Sequence, residues 1–224
     1  MTSFITKHQS DREKKEKKYF GNFDFSDLNV KKIHIKSGEA NSLEVYKWVR
    51  KINPEIIFLY GCSIIKEPLI ELENFIVNIH LGLSPYYKGA ATNIWPLVNN
   101  QPECLGATFH LATSKVDAGP IIHQYRPKLK VKDNIHDIGN KIILQAAGEL
   151  KIVKYCIDNN INQVIQNAVE NQKIYKKNDF DEDSLQIAYN NISNGLIQKY
   201  LNEKDQKDQL FPIVDNSKYY ALNC

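Results

Sequence analysis

The sequence predicts an α/β domain built on a doubly wound, mostly parallel sheet. Three observations lead there. Two short apolar runs, Glu55–Tyr60 (EIIFLY) and Phe75–Ile79 (FIVNI), have strand length and stop at glycine or at polar residues. Their nearly continuous apolar character suits strands buried on both faces, as in a parallel sheet covered by helices. Stretches with helical periodicity separate the runs, and alternation of strand with helix favours parallel crossover units.

In chain order, Asp11–Lys18 (DREKKEKK) is a mixed-charge run that reads as a solvated loop or helix turn. Lys32–Lys36 (KIHIK) alternates polar and apolar, the period of a half-buried strand. Ser42–Ile52 reads as a helix, with Ser42 as N-cap and an apolar stripe through Leu43, Val45, Tyr46, Val49 and Ile52. After the Glu55–Tyr60 strand, a short helical stretch follows Pro68 and leads into Phe75–Ile79. Ala91–Asn100 looks helical, and Leu105–Leu111 and Pro120–Arg126 look like strands. Asn134–Ile157 is the clearest helix, with Ile135, Ile138, Ile142, Ile143, Ala146, Leu150 and Val153 on one stripe and Asp133 as its cap. Beyond Asn159 the chain turns polar. There Gln163–Val169 with Lys173–Lys176 reads as a small hairpin, and Ser184–Asn202 as a terminal helix.

Composition narrows the function classes. The 224 residues, 42% hydrophobic, can bury one sizeable core and a small appendage. A net charge of +3 demands neither a nucleic-acid nor a membrane partner. No apolar run reaches membrane-spanning length, and Met1–Gln9 is too short for a signal peptide. The cysteines at 62, 104, 156 and 224 form no close pair, so a CxxC motif and a zinc ribbon are both excluded. Reduced thiols and a cytoplasmic location are the plain reading.

The chemistry concentrates in Val77–Gln124. Asn78 and His80 sit at i and i+2 where an apolar strand stops, so both point to one side of its C-terminal edge, where open α/β sheets bind ligands. Asp117 lies in the turn Lys115–Pro120 (KVDAGP) between two strands. Singly, each has an ordinary structural reading: an Asx cap, a hydrogen-bonded histidine, a turn aspartate. His110, His123 and His136 read as structural. Trp95 and Tyr87 read either as walls of the site or as core packing.

Together, N-x-H-x-x-x-x-P at Asn78–Pro85 and V-D-A-G-P at Val116–Pro120 resemble the folate-dependent formyltransferase family. That family includes glycinamide ribonucleotide, methionyl-tRNA and sugar N-formyltransferases. The resemblance runs from about Asn53 to Cys156. It implies a Rossmann-like catalytic domain, 10-formyltetrahydrofolate as formyl donor, no metal, and Asn78, His80 and Asp117 as the catalytic residues. The family's chemistry needs donors for the oxyanion of a tetrahedral intermediate, for which Asn78 and a protonated His80 are suited. Asp117 favours the imidazolium and can collect the amine proton. The resemblance also implies that Cys62, Ser63, Ile64 and Ile65, with Ala112 and Thr113, border the pterin, although Ile64 and Ile65 read equally as core. On the acceptor side it points to Ser84, Pro85, Tyr86 and Lys88, the last either meeting a phosphate or facing solvent.

The sequence departs from the family in three places. The first βα unit is not found, and Ser3–Gln9 (SFITKHQ) looks like the second strand. Residues 1–158 are accordingly read as an N-terminally incomplete catalytic domain and 159–224 as a C-terminal extension. The loop reads LGLSPYYKG instead of the S-L-L-P form, and the tail is too short for a tRNA-binding barrel. An amino sugar nucleotide is therefore the expected acceptor, with glycinamide ribonucleotide next. A formyltetrahydrofolate hydrolase and a non-catalytic folate-binding remnant are the rivals, and a homodimer is compatible with all of these.

Overall fold

The structure, a computed structural model, describes residues 3–21, 28–161, 163–167, 169 and 173–222. Its strands are β1 (Ile56–Leu59), β2 (Phe75–His80), β3 (Lys88–Gly89), β4 (Ala107–Leu111), β5 (Ile121–Tyr125) and β6 (Ile174–Tyr175). The central sheet has the order β1-β2-β4-β5, while β3 and β6 pair separately. β1 runs parallel to β2, but β2–β4 and β4–β5 are antiparallel. The α/β class holds, yet the sheet is mixed where the pattern predicts a mostly parallel one. The physical reason is connection length. The turn through Asp117 between β4 and β5 is too short for a crossover and can only return the chain antiparallel.

β1 is also less buried than its apolar sequence predicts. It lies at the sheet edge, and its Phe58 is 37% exposed. The interior strands fill the core instead. Val77, Phe109 and Ile122 pack against Ile138, Ile142 and Val153 of α4 (Ile135–Asp158). α4 is capped by Asn134, not Asp133. The Asn134 side chain accepts the His136 and Asp137 amides, and Asp137 returns the bond to the Asn134 amide, closing a capping box. Asp133 instead accepts the Lys130 amide and pairs with Lys141.

Three further expectations are corrected. Ser3–Gln9 is not a strand: Ser3 caps α1 (Phe4–Phe20), its hydroxyl accepting the Thr6 amide, and the helix carries on through the charged run. Lys32–Lys36 forms no strand, because its alternation finds no ladder partner among the described residues. Among the described residues, 163–167 and 173–176 do not pair with each other, since each finds a partner in the main body. Val164 bridges Ile121, and β6 pairs with β3. Residues 168 and 170–172 lie outside the described residues.

The helices otherwise follow the pattern. α2 (Leu43–Ile52) is capped by Ser42, and α3 is a short turn of helix (Trp95–Val98). The expected terminal helix divides at Gly195 into α5 (Glu182–Ser193) and α6 (Leu196–Asn202), followed by α7 (Lys204–Leu210) and α8 (Ser217–Ala221). Leu185, Ala188, Leu196 and Ile197 from α5 and α6 enter the same core as the sheet. Among the described residues no helix is long and apolar enough to cross a membrane.

Candidate active site

The end of β2 and the β4–β5 turn bring four polar side chains together. Asn78 and His80 lie on one face of β2, and the antiparallel register sets His110 of β4 directly across from Asn78. Asp117 reaches the same point from the turn, with its backbone at φ 43. That left-handed conformation is one that aspartate and asparagine tolerate better than most residues.

Every atom of the Asp117 carboxylate is engaged. Oδ1 accepts from Asn78 Nδ2 at 3.1 Å and faces His110 Nε2 at 3.4 Å. Oδ2 accepts the Gly89 amide at 2.8 Å and faces His80 Nδ1 at 3.3 Å. Burial pushes the Asp117 carboxyl up, but the neighbouring His110, His80 and the Gly89 amide outweigh it and hold it at about 2. Gly89 is required at its position: its φ is +97°, and a Cβ there would lie 2.1 Å from the Tyr175 carbonyl oxygen.

The partners set the tautomers. His80 Nε2 donates to the Tyr87 carbonyl at 2.9 Å, so Nδ1, facing Asp117, is the nitrogen that titrates. His110 Nδ1 donates to the Leu111 carbonyl, which leaves Nε2 to accept from Asn78. Asn78 thus spends its amide hydrogens on His110 and Asp117, and giving one to a substrate oxygen costs one of those contacts. Burial lowers the pKa of His80, and the opposing pull of Asp117 does not restore it. Desolvation and the Asp117 carboxylate thus pull the His80 imidazole in opposite directions, with burial the larger influence.

A cavity of about 800 Å³ opens over this cluster. Asn78, His80 and Asp117 line it, together with Cys62, Ser63, Ile64, Ile65, Ala112 and Thr113. The two isoleucines differ. Ile65 is buried in a core cluster with Val49 and Leu69, whereas Ile64 is 51% exposed. Asn41 anchors this loop, its amide donating to the Ile64 carbonyl and its oxygen accepting the Lys66 amide. Burial raises the pKa of the Cys62 thiol, which disfavours a thiolate nucleophile.

Ser84, Pro85, Tyr86 and Lys88 are not on the cavity wall. The loop folds inward, and the Ser84 hydroxyl is buried there without a hydrogen-bond partner among the described residues. The Ser84 amide donates to Thr108 Oγ1, and its carbonyl accepts from Gln124 Nε2. Tyr86 donates to the Pro212 carbonyl, and Lys88 is 6% exposed in β3. Trp95 and Tyr87 stack with Tyr175 as core, not as walls. Sequence reasoning missed His110, whose only signal is its strand register opposite Asn78. It also missed Thr92, whose hydroxyl donates to the Leu81 carbonyl beside His80.

Comparison with known proteins places this geometry in context. A model of the family described as Formyl transferase matches residues 4–152. The bifunctional polymyxin resistance protein ArnA of Wigglesworthia glossinidia brevipalpis is 28% identical over 159 residues, covering 70% of this chain and 24% of that protein. A methionyl-tRNA formyltransferase of Thermodesulfovibrio yellowstonii is 31% identical over 103 residues, covering 45% and 33%. The chain thus spans a minor part of the length of both relatives. A sugar N-formyltransferase from Shewanella sp FDAARGOS_354 shares the fold with a TM-score of 0.55 at 17% identity, over 84% of this chain and 82% of that one. A 4-N formyltransferase from Francisella tularensis does so at 0.52 and 18%, over 82% and 84%.

Proposed function

Because this chain belongs to the formyl transferase family, we propose that it moves a formyl group from 10-formyltetrahydrofolate to the primary amine of an amino sugar nucleotide. The observation that carries the reading is the convergence of Asn78, His80 and Asp117 at one end of the sheet, under a cavity large enough for a pterin and an acceptor. Attack of the amine on the formyl carbon forms the new C–N bond and places negative charge on the formyl oxygen. Asn78 turns an N–H toward that oxygen, a contribution of about 3–4 kcal/mol for one such donor. The amine proton passes to the His80–Asp117 pair, in which Asp117 Oδ2 faces His80 Nδ1 at 3.3 Å and stabilises the imidazolium so formed. Collapse breaks the bond to the folate nitrogen, which takes that proton from the His80 imidazolium, leaving the formamide and tetrahydrofolate.

The donor assignment is supported by the loop Cys62–Ile65 and by Ala112–Thr113 on the cavity wall, with Ile64 as its apolar surface. The acceptor assignment is supported by the departure of the loop Leu81–Gly89 from the S-L-L-P form. The test is formyl transfer from 10-formyltetrahydrofolate to a panel of amino sugar nucleotides and to glycinamide ribonucleotide, in wild type and His80→Ala. Transfer that falls at least about 100-fold in the variant is expected. Formate release without an acceptor would replace transfer by hydrolysis, and folate binding with neither product would leave a binding protein.

A further inference from the structure

The rim of the cavity carries charges that formyl transfer itself does not use. Arg12 of α1, Lys115 of the β4–β5 turn and Lys177 beside β6 all line it, while among the described residues Asp117 is the only carboxylate on its wall. Both oxygens of that carboxylate already face Asn78, His110, Gly89 and His80, so it neutralises none of the three cations. Arg12 Nε bonds Glu16 on the same helix at 2.6 Å, and its terminal nitrogens take no partner among the described residues. Lys115 and Lys177 are exposed and form no ion pair among the described residues. Three cations from the N-terminal helix, the β4–β5 turn and the C-terminal segment therefore line one cavity.

We propose that Arg12, Lys115 and Lys177 form an anion-reading rim that selects a co-substrate carrying several negative charges outside the reacting centre. The inference rests on the formyl-transfer reading for the names of its ligands, but not for the chemistry of the rim. Two sources offer that chemistry: the diphosphate of a nucleotide-linked acceptor, and the γ-glutamyl carboxylates of a folate tail. Exposed ion pairs contribute little each, so the three act usefully only on a ligand that meets them together. Their attraction is screened beyond roughly 8–10 Å at ordinary ionic strength, which makes the rim's contribution salt-dependent.

The experiment measures equilibrium binding by calorimetry, so that it does not depend on turnover. Wild type, the triple variant Arg12→Ser/Lys115→Ser/Lys177→Ser, and a control carrying Lys154→Ser, Lys204→Ser and Lys218→Ser are compared. None of the control positions lines the cavity, and the charge change is equal. The ligands are 5-formyltetrahydrofolate with one or three glutamates, and an amino sugar with or without its nucleoside diphosphate. The rim variant is expected to bind one multiply charged ligand about 10-fold more weakly than wild type and the control, with a shallower salt dependence. A penalty confined to the triglutamate assigns the rim to the folate tail, and one confined to the nucleotide assigns it to the acceptor. Equal affinity in all three proteins overturns the rim, as does wild type that binds none of the four ligands. Wild type that binds them but transfers no formyl group overturns the proposed function while leaving the rim to be read from the binding data.

Discussion

Asp117 carries two demands at one position: a left-handed backbone and a carboxylate held ionised among four partners. Asparagine meets the first demand but not the second. Asp117→Asn should therefore fold normally by circular dichroism and lose about 100- to 10,000-fold in kcat, the range for general acid–base groups. The same substitution has a pH signature. In the proposed transfer neutral His80 accepts the proton, so the rate should fall as pH drops through the His80 pKa. Asp117 raises that pKa against the lowering by burial, so its removal should move the acid limb of the residual kcat/KM to lower pH. An unmoved limb in the pH–rate profile would show that the two side chains are not electrostatically coupled. Asn78, His80 and Asp117 are legible in the sequence because strand alternation and turn chemistry are local. His110 is not, because nothing near it in the chain says which residue of β2 it will face.

At the scale of elements, α1 docks through a histidine–tyrosine relay. Tyr189 of α5 hydrogen-bonds His136 of α4 at 2.9 Å and His8 of α1 at 3.1 Å, and the two imidazole rings lie 4.7 Å apart. Burial, then the charge of His8, pushes His136 down to about 4, with Asp11 and Asp137 opposing and Arg12 assisting. The unfolded chain titrates near 6.5 and so binds more protons between pH 6.5 and about 4. Stability from this contact is complete above pH 6.5 and is lost as pH falls through that window. His136→Gln should shrink the drop in Tm between pH 7.5 and 5.0, read by thermal denaturation at both. A second element-scale prediction concerns the β3–β6 pairing. Gly89→Ala forces a Cβ into the Tyr175 carbonyl and displaces the amide that Asp117 accepts, so both Tm and formyl transfer should fall. α1 itself is misread as a strand because Ser3–Gln9 is too short to separate the two periods, whereas the cap at Ser3 operates on a helix.

For the whole molecule, the polar C-terminal segment closes the far edge of the sheet. The Gln124 amide donates to the Val214 carbonyl, and the Val214 amide donates to the Gln124 side chain. Asn216 donates from its backbone to His123 and from its side chain to the Ile122 carbonyl. At about 1 kcal/mol net for each of these bonds, deleting residues 212–224 should cost ~4 kcal/mol. For a chain of this size that lowers Tm by roughly 8–16 °C, which calorimetry reads directly. An unchanged Tm would mean that β5 needs no cover.

Local pattern was sufficient for β1, β2, β4 and β5, for α2 and α4, and for the family of the catalytic segment. Strand alternation, helical periodicity and capping are set by residues within a few positions of one another. Pairing direction, the cap that α4 uses, the burial of Ser84 and Lys88 and the downward pull of burial on the His80 pKa depend on groups far apart in the chain. So does the meeting of Arg12, Lys115 and Lys177 at one opening. Hydrogen-bond partners, desolvation and charge proximity act through space, and a residue acquires them only when the packed sheet and helices bring its neighbours to it.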